Sequence, residues 1–169
     1  MESEHNCCAE VDTRLIVADV EMAHKVLSDW WRLTGDAPTL ANVGEATAED
    51  IERRYGISLP EDFRLYLLHA APREDFWDDG DASWWSPGRL KNIPDEYEYS
   101  IDDPRIAAKA QRYLFFADYM IWCWAWAICC EEGEDRGKVA LIGGAPDRIV
   151  ASSFTEFLKA YIADPLSVS

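Results

Sequence analysis

The stretch from Met120 to Cys130 constrains the fold more than any other part of the chain. It reads Met-Ile-Trp-Cys-Trp-Ala-Trp-Ala-Ile-Cys-Cys, without a charged residue. A membrane helix needs about 20 apolar residues, so this run is too short to span a bilayer. Read as a strand over 121–130, it alternates: Trp122, Trp124, Trp126 and Ile128 share one side, and Ile121, Cys123, Ala125, Ala127 and Cys129 the other. Both sides are apolar. Such a strand lies at the centre of a sheet covered on both faces, or leaves one face open for binding. A row of Trp is more often core than binding stripe, and small residues on the second side let a helix approach closely.

The rest of the chain supplies the cover. Ile16, Val20, Ala23, Leu27, Trp30 and Trp31 recur at helical spacing before Gly35, predicting a helix over about 11–33. A second helix is predicted from Thr47, as N-cap, to a stop at Gly56; Pro60 opens a third, with Phe63, Tyr66 and Leu67 on its buried side. After a loop-rich stretch over 72–104 come further strands at 113–117, 138–142 and 148–151, and Ser153 caps a last helix. The expected fold is α/β in the α+β sense: one domain over 11–169, with a mixed, mostly antiparallel sheet flanked by helices, after a flexible tail over 1–10.

The charge is lopsided, with 32 acidic and 16 basic residues giving a net −16. That field repels nucleic acid and anionic membrane and attracts basic proteins. The N-terminus is acidic, where a secretory signal needs positive charge and an apolar run. Cys7, Cys8, Cys123, Cys129 and Cys130 form neither an even disulfide framework nor a zinc-type pair. A reducing cytoplasm is the expected location.

Motifs for chemistry are missing. There is no phosphate-binding glycine loop and no G-x-S-x-G elbow. His5, His24 and His69 are scattered. Asp78-Asp79-Gly80-Asp81 lacks the Glu six residues past the glycine that a calcium loop requires, since Ser86 stands there. No metal, no cofactor and no catalytic residue is predicted, although a chain this acidic can place two carboxylates close enough for hydrolase chemistry.

Acids and large rings alternate in the middle of the chain. Asp75, Trp77, Asp78, Asp79, Asp81, Trp84 and Trp85 are followed by Asp95, Glu96, Tyr97, Glu98, Tyr99, Asp102 and Asp103. Aromatic anchors ringed by carboxylates suit a basic protein partner: the rings supply affinity, the charges on-rate and selectivity. These acids and the three Trp are the predicted partner surface, and converting Asp78, Asp79 and Asp81 to Asn is expected to weaken it.

One segment carries a family likeness. Ala48-Glu-Asp-Ile-Glu-Arg-Arg-Tyr-Gly-Ile-Ser-Leu-Pro-Glu-Asp-Phe-Arg-Leu-Tyr-Leu-Leu68 resembles the signature of the SUKH superfamily, which includes fungal cell-wall assembly regulators and many bacterial immunity proteins. Ala151-Ser-Ser-Phe-Thr-Glu-Phe-Leu158 is similar to that family's closing strand-to-helix step, so the likeness covers roughly 45–163. It departs at Ala70-Ala71-Pro72, where relatives usually carry an Asn-Gly type of turn. The resemblance implies a non-enzymatic immunity protein that neutralises a cognate toxin domain, often a nuclease with a basic cleft. A regulatory interaction module and a carboxylate-dependent hydrolase are the alternatives.

Overall fold

The computed structural model describes residues 13–169, with side chains from Met22 onward. The predicted tail and the side chains of Ile16 and Val20 lie outside the described residues. The chain begins with α1 (Thr13–Thr34), α2 (Glu45–Tyr55) and α3 (Glu61–His69). A sheet follows: β1 (Phe76–Trp77), β2 (Ala82–Trp84), β3 (Tyr113–Tyr119), β4 (Trp124–Cys129), β5 (Val139–Ile142) and β6 (Arg148–Ala151). Two short helices, α4 (Ile93–Glu96) and α5 (Pro104–Ala107), interrupt the connection between β2 and β3, and α6 (Phe154–Ala163) closes the fold. The strands pair in chain order, β1-β2-β3-β4-β5-β6, and every pairing is antiparallel.

Local chemistry explains the helix boundaries. Gly56 takes the left-handed conformation, φ 61°, that ends α2, and its N–H donates to Glu52 O. The start of α2 differs from expectation: Gly44, not Thr47, is the N-cap. The helix extends back to Glu45, whose carboxylate pairs with Arg64 of α3 at 2.6 Å. Ser153 caps α6 as predicted, accepting from Glu156 N at 3.0 Å.

Helices α1, α3 and α6 pack on one another and on one face of the sheet. Trp84, Phe116 and Trp126 on that face meet Phe63, Tyr66, Phe154, Phe157 and Tyr161 in edge-on and tilted ring contacts, such as Phe116–Phe154 at 5.3 Å and Trp126–Phe157 at 5.4 Å. Buried aromatic pairs of this kind contribute about 0.5–1.5 kcal/mol each beyond the area they bury. Phe115 and Trp85 point to the other face, which the 85–112 connection crosses: Tyr97 stacks on Trp122, Asp102 N reaches Asp147, and Arg105 reaches Asp135. The sheet is covered on both sides.

Trp122 is where expectation and structure part. The strand starts at Trp124, and Met120, Ile121 and Trp122 form a turn. Trp122 therefore does not share a side with Trp124 and Trp126. It lies on the opposite face against Phe115 (5.2 Å) and Trp85 (6.3 Å). Trp126 is fully buried, and its indole donates to Val168 O at 2.8 Å.

Candidate functional site

In an antiparallel sheet that follows chain order, alternate turns lie at the same end. The β1–β2 turn (78–81), the β3–β4 turn (120–123) and the β5–β6 turn (143–147) therefore share one edge. The bend at 97–102 leans over it. Met120 N donates to Asp81 O at 3.1 Å, joining the first two turns. Asp102 N donates to Asp147 Oδ2 at 2.8 Å, joining the bend to the third. A Cβ on Gly143 would meet Tyr97 and Trp122 at 3.7 and 3.8 Å, which places that turn against the stacked pair.

This edge holds most of the unusual backbone. Six described residues other than glycine have positive φ, and five of them are here: Asp81, Met120, Ile121, Trp122 and Ala145. Left-handed backbone costs an L-residue roughly 1–2 kcal/mol, and such strain persists only where its surroundings over-determine it. Asp118 supplies the brace. Its carboxylate is buried, accepts the Trp85 indole at 2.7 Å, and accepts Trp122 N at 3.0 Å. Cys123 N closes the turn onto Tyr119 O at 2.9 Å.

The surface is acidic and apolar together. Asp79, Asp81, Glu98 and Asp102 are exposed around it. Ile121 is 83% exposed, Tyr99 75% and Met120 48%, while Trp122 is half-buried. None of the four segments contains Lys or Arg, and Arg148, just beyond, donates to Pro146 O. Burial, then the Asp147 and Asp102 carboxylates, raises the Tyr97 phenol above its ordinary value, so it remains a neutral hydrogen-bonding group.

The predicted partner residues divide into three groups. Asp79, Asp81, Glu98 and Asp102 come together at the sheet edge, and Trp77 stands near it on β1, 47% exposed. Three others engage local partners through their carboxylates, and Asp95 through its backbone N–H alone. Asp75 pairs with Arg89 and accepts Ser86 N. Glu96 pairs with Lys91 at 3.4 Å. Asp103 accepts Arg105 N at the start of α5, and Asp95 N bonds Asn92 Oδ1 at the start of α4.

Asp78, Trp84 and Trp85, expected at a partner surface, are inside. Both Trp are fully buried, and Asp78 is 5% exposed. The Asp78 carboxylate accepts Trp31 Nε1 (3.1 Å), Trp84 Nε1 (2.7 Å), Tyr161 Oη (2.7 Å), Gly80 N (3.0 Å) and Ala82 N (3.2 Å), tying α1, β2 and α6 together. A buried carboxylate needs such donors, and here the sequence spends an acid on structure. Met120, Ile121 and Asp118 escape sequence reasoning, because no Gly, Asn or Pro marks the 120–123 turn.

Elsewhere the chemistry is structural. In the β4–β5 loop Asp135 accepts from Lys138, Lys109 and Arg105, each at 2.9 Å, which holds its carboxyl well below the usual carboxylate range. Burial raises the thiols of Cys129 and Cys130, quieting them as nucleophiles. Among the described residues no group of three or more His, Cys, Asp or Glu could hold a metal ion, and no helix is long and apolar enough to cross a membrane. The groove between α5 and β6 is lined by Arg105, Lys138, Ile149, Val150, Ala151 and Ser152, without a carboxylate.

No curated protein and no solved structure matches the chain. A family does: the SMI1 / KNR4 family (SUKH-1) matches residues 42–160, from just before α2 to within α6, which is more than half of the sequence. The Leu59-Pro60 link, the Gly56 stop and the Ser153 cap fall within that span: Leu59 is buried, Pro60 precedes α3, Gly56 ends α2 and Ser153 caps α6. The chain belongs to the SMI1 / KNR4 family (SUKH-1).

Proposed function

We propose that this protein is a cytoplasmic immunity protein that binds and neutralises a cognate toxin domain with a basic, nuclease-type surface. The observation that carries the reading is that Asp79, Asp81, Glu98 and Asp102 are exposed on segments that share one end of the sheet with the exposed Ile121 and Tyr99. Family membership supports it, since the likeness to the SUKH superfamily implies an immunity protein that acts by binding. A basic cleft evolved for a phosphate backbone would be drawn to a −16 molecule from a distance and held by the apolar centre of this edge. Occlusion of the cleft then suffices for protection.

The test is whether the neighbouring reading frame encodes a large secreted protein with a toxin-type C-terminal domain, followed by co-expression with that domain. Protection of the host is expected, with an association rate that falls steeply as salt is raised. A chain that neither binds that domain nor protects the cell would overturn the reading.

A further inference from the structure

We infer that the Met120–Trp122 turn is a preformed anchor, which inserts the Ile121 side chain into an apolar socket on a basic partner surface. The inference rests on the immunity reading above and assigns the contact at its centre.

Two independent observations meet in these residues. The first is conformational. Hairpin turns with positive φ ordinarily carry Gly, Asn or Asp, which adopt it without strain. Here the φ values of 43°, 55° and 65° fall on Met, Ile and Trp, and a β-branched residue is the least suited of all. The buried Asp118 carboxylate holds the turn through Trp122 N, and the stack of Trp122 on Tyr97 at 5.8 Å and 9° fixes the far side. Strain maintained by so specific a brace belongs to a place where side-chain identity matters more than turn stability. The second observation is exposure. The turn directs Ile121 into solvent at 83%, and Asp79, Asp81, Glu98 and Asp102 are exposed on the turn and bend at the same end of the sheet.

The acidic character of this end of the sheet selects the occupant. It disfavours anionic membrane and acidic protein surfaces, and a second copy of this chain would bring like charges together. A socket rimmed by Lys or Arg matches both the apolar tip and its surroundings. Because the turn is already formed in the free protein, little entropy is lost on docking.

The experiment uses the full chain, the neighbouring toxin domain as probe, and the variants Ile121→Gly and Ile121→Asp. Glycine releases the strain, so Ile121→Gly should melt higher than wild type, by about 2–4 °C, yet bind the toxin domain about 30-fold more weakly or worse. Ile121→Asp tolerates the same backbone and should lose at least as much affinity, chiefly through faster dissociation. If wild type protects the cell and both variants bind as tightly as wild type, the anchor is wrong and the immunity reading stands. If wild type does not bind the toxin domain at all, both fall. Self-association that depends on Ile121, or Ile121-dependent binding to phosphatidylcholine vesicles, would also overturn the assignment.

Discussion

Trp84 and Trp85 are neighbours in the chain, yet their indole N–H groups end on two different buried carboxylates, Asp78 and Asp118, each at 2.7 Å. Successive strand residues face opposite sides of a sheet, so this dipeptide fastens both. Trp84 and Asp78 join the face that α1 and α6 cover, where Trp31 and Tyr161 share the same carboxylate. Trp85 and Asp118 join the other face, directly beneath the turn that carries Ile121.

Asp78 therefore belongs to stability and Asp79 does not, although both sit in one acidic run. Asp78→Ala removes the acceptor for two indoles, one phenol and two turn N–H groups. The expected loss is about 3–5 kcal/mol, since several buried donors are left unsatisfied. Asp79→Ala should stay within about 0.5 kcal/mol. Urea unfolding of the two variants checks this, and equal losses would sink it.

The same knot leaves no room for a side chain at Gly80. A Cβ there would lie 2.5 Å from Tyr161 Oη and 2.8 Å from Pro165 Cγ. Tyr161 cannot give way readily: its hydroxyl is bonded to Asp78, and Trp84, Trp126 and Phe157 pack around its ring. Gly80→Ala is expected to cost about 1–3 kcal/mol by overpacking. Gly88→Ala, with nothing within 4 Å of the new atom, is the matched control and should be nearly neutral.

Local signals were legible where a residue's role is set by its own backbone. Gly56, Pro60 and Ser153 could be read because a left-handed stop, a helix restart and a hydroxyl cap depend on a few adjacent residues. The sequence predicts a strand over 121–130, longer than β4, because Ile121 and Trp122 have strand-type side chains and are turned only by a brace from Asp118 and a stack on Tyr97. Burial of Asp78 was hidden for the same reason, since its partners Trp31 and Tyr161 are 47 and 83 residues away. The meeting of Asp81 with Met120, and of Asp102 with Asp147, follows from strand order, which no short stretch of sequence encodes.

On the proposed partner surface, Asp79→Asn and Asp81→Asn should slow association without changing the fold. Both side chains are exposed, and exposed rim charges act mainly on the encounter rate. The double variant is expected to associate several-fold more slowly with the toxin domain at low salt, with dissociation unchanged. The difference should vanish near 1 M salt, where charges are screened beyond about 3 Å. Stopped-flow mixing across a salt series measures this, and a salt-independent difference would remove the steering role.

His24 gives the fold a pH dependence of its own. It lies on α1, 7% exposed, with its ring stacked on His69 of α3 at 5.3 Å and its Nδ1 without a hydrogen-bond partner. Burial, then the charges of His69 and Lys25, lowers its pKa from 6.5. The unfolded chain therefore takes up this proton before the folded one does. Its contribution to stability is complete above about pH 6.5 and declines as the pH falls toward the folded value. Asp135, held below its ordinary 3.8, loses its contribution only in a lower window. Thermal melts from about pH 7.5 to about pH 5.5 should show wild type losing stability faster than His24→Leu, which carries no titrating ring and no unpaired buried nitrogen. At about pH 7.5 the variant should be at least as stable as wild type; parallel melting curves across the range would show that His24 titrates as freely in the fold as outside it.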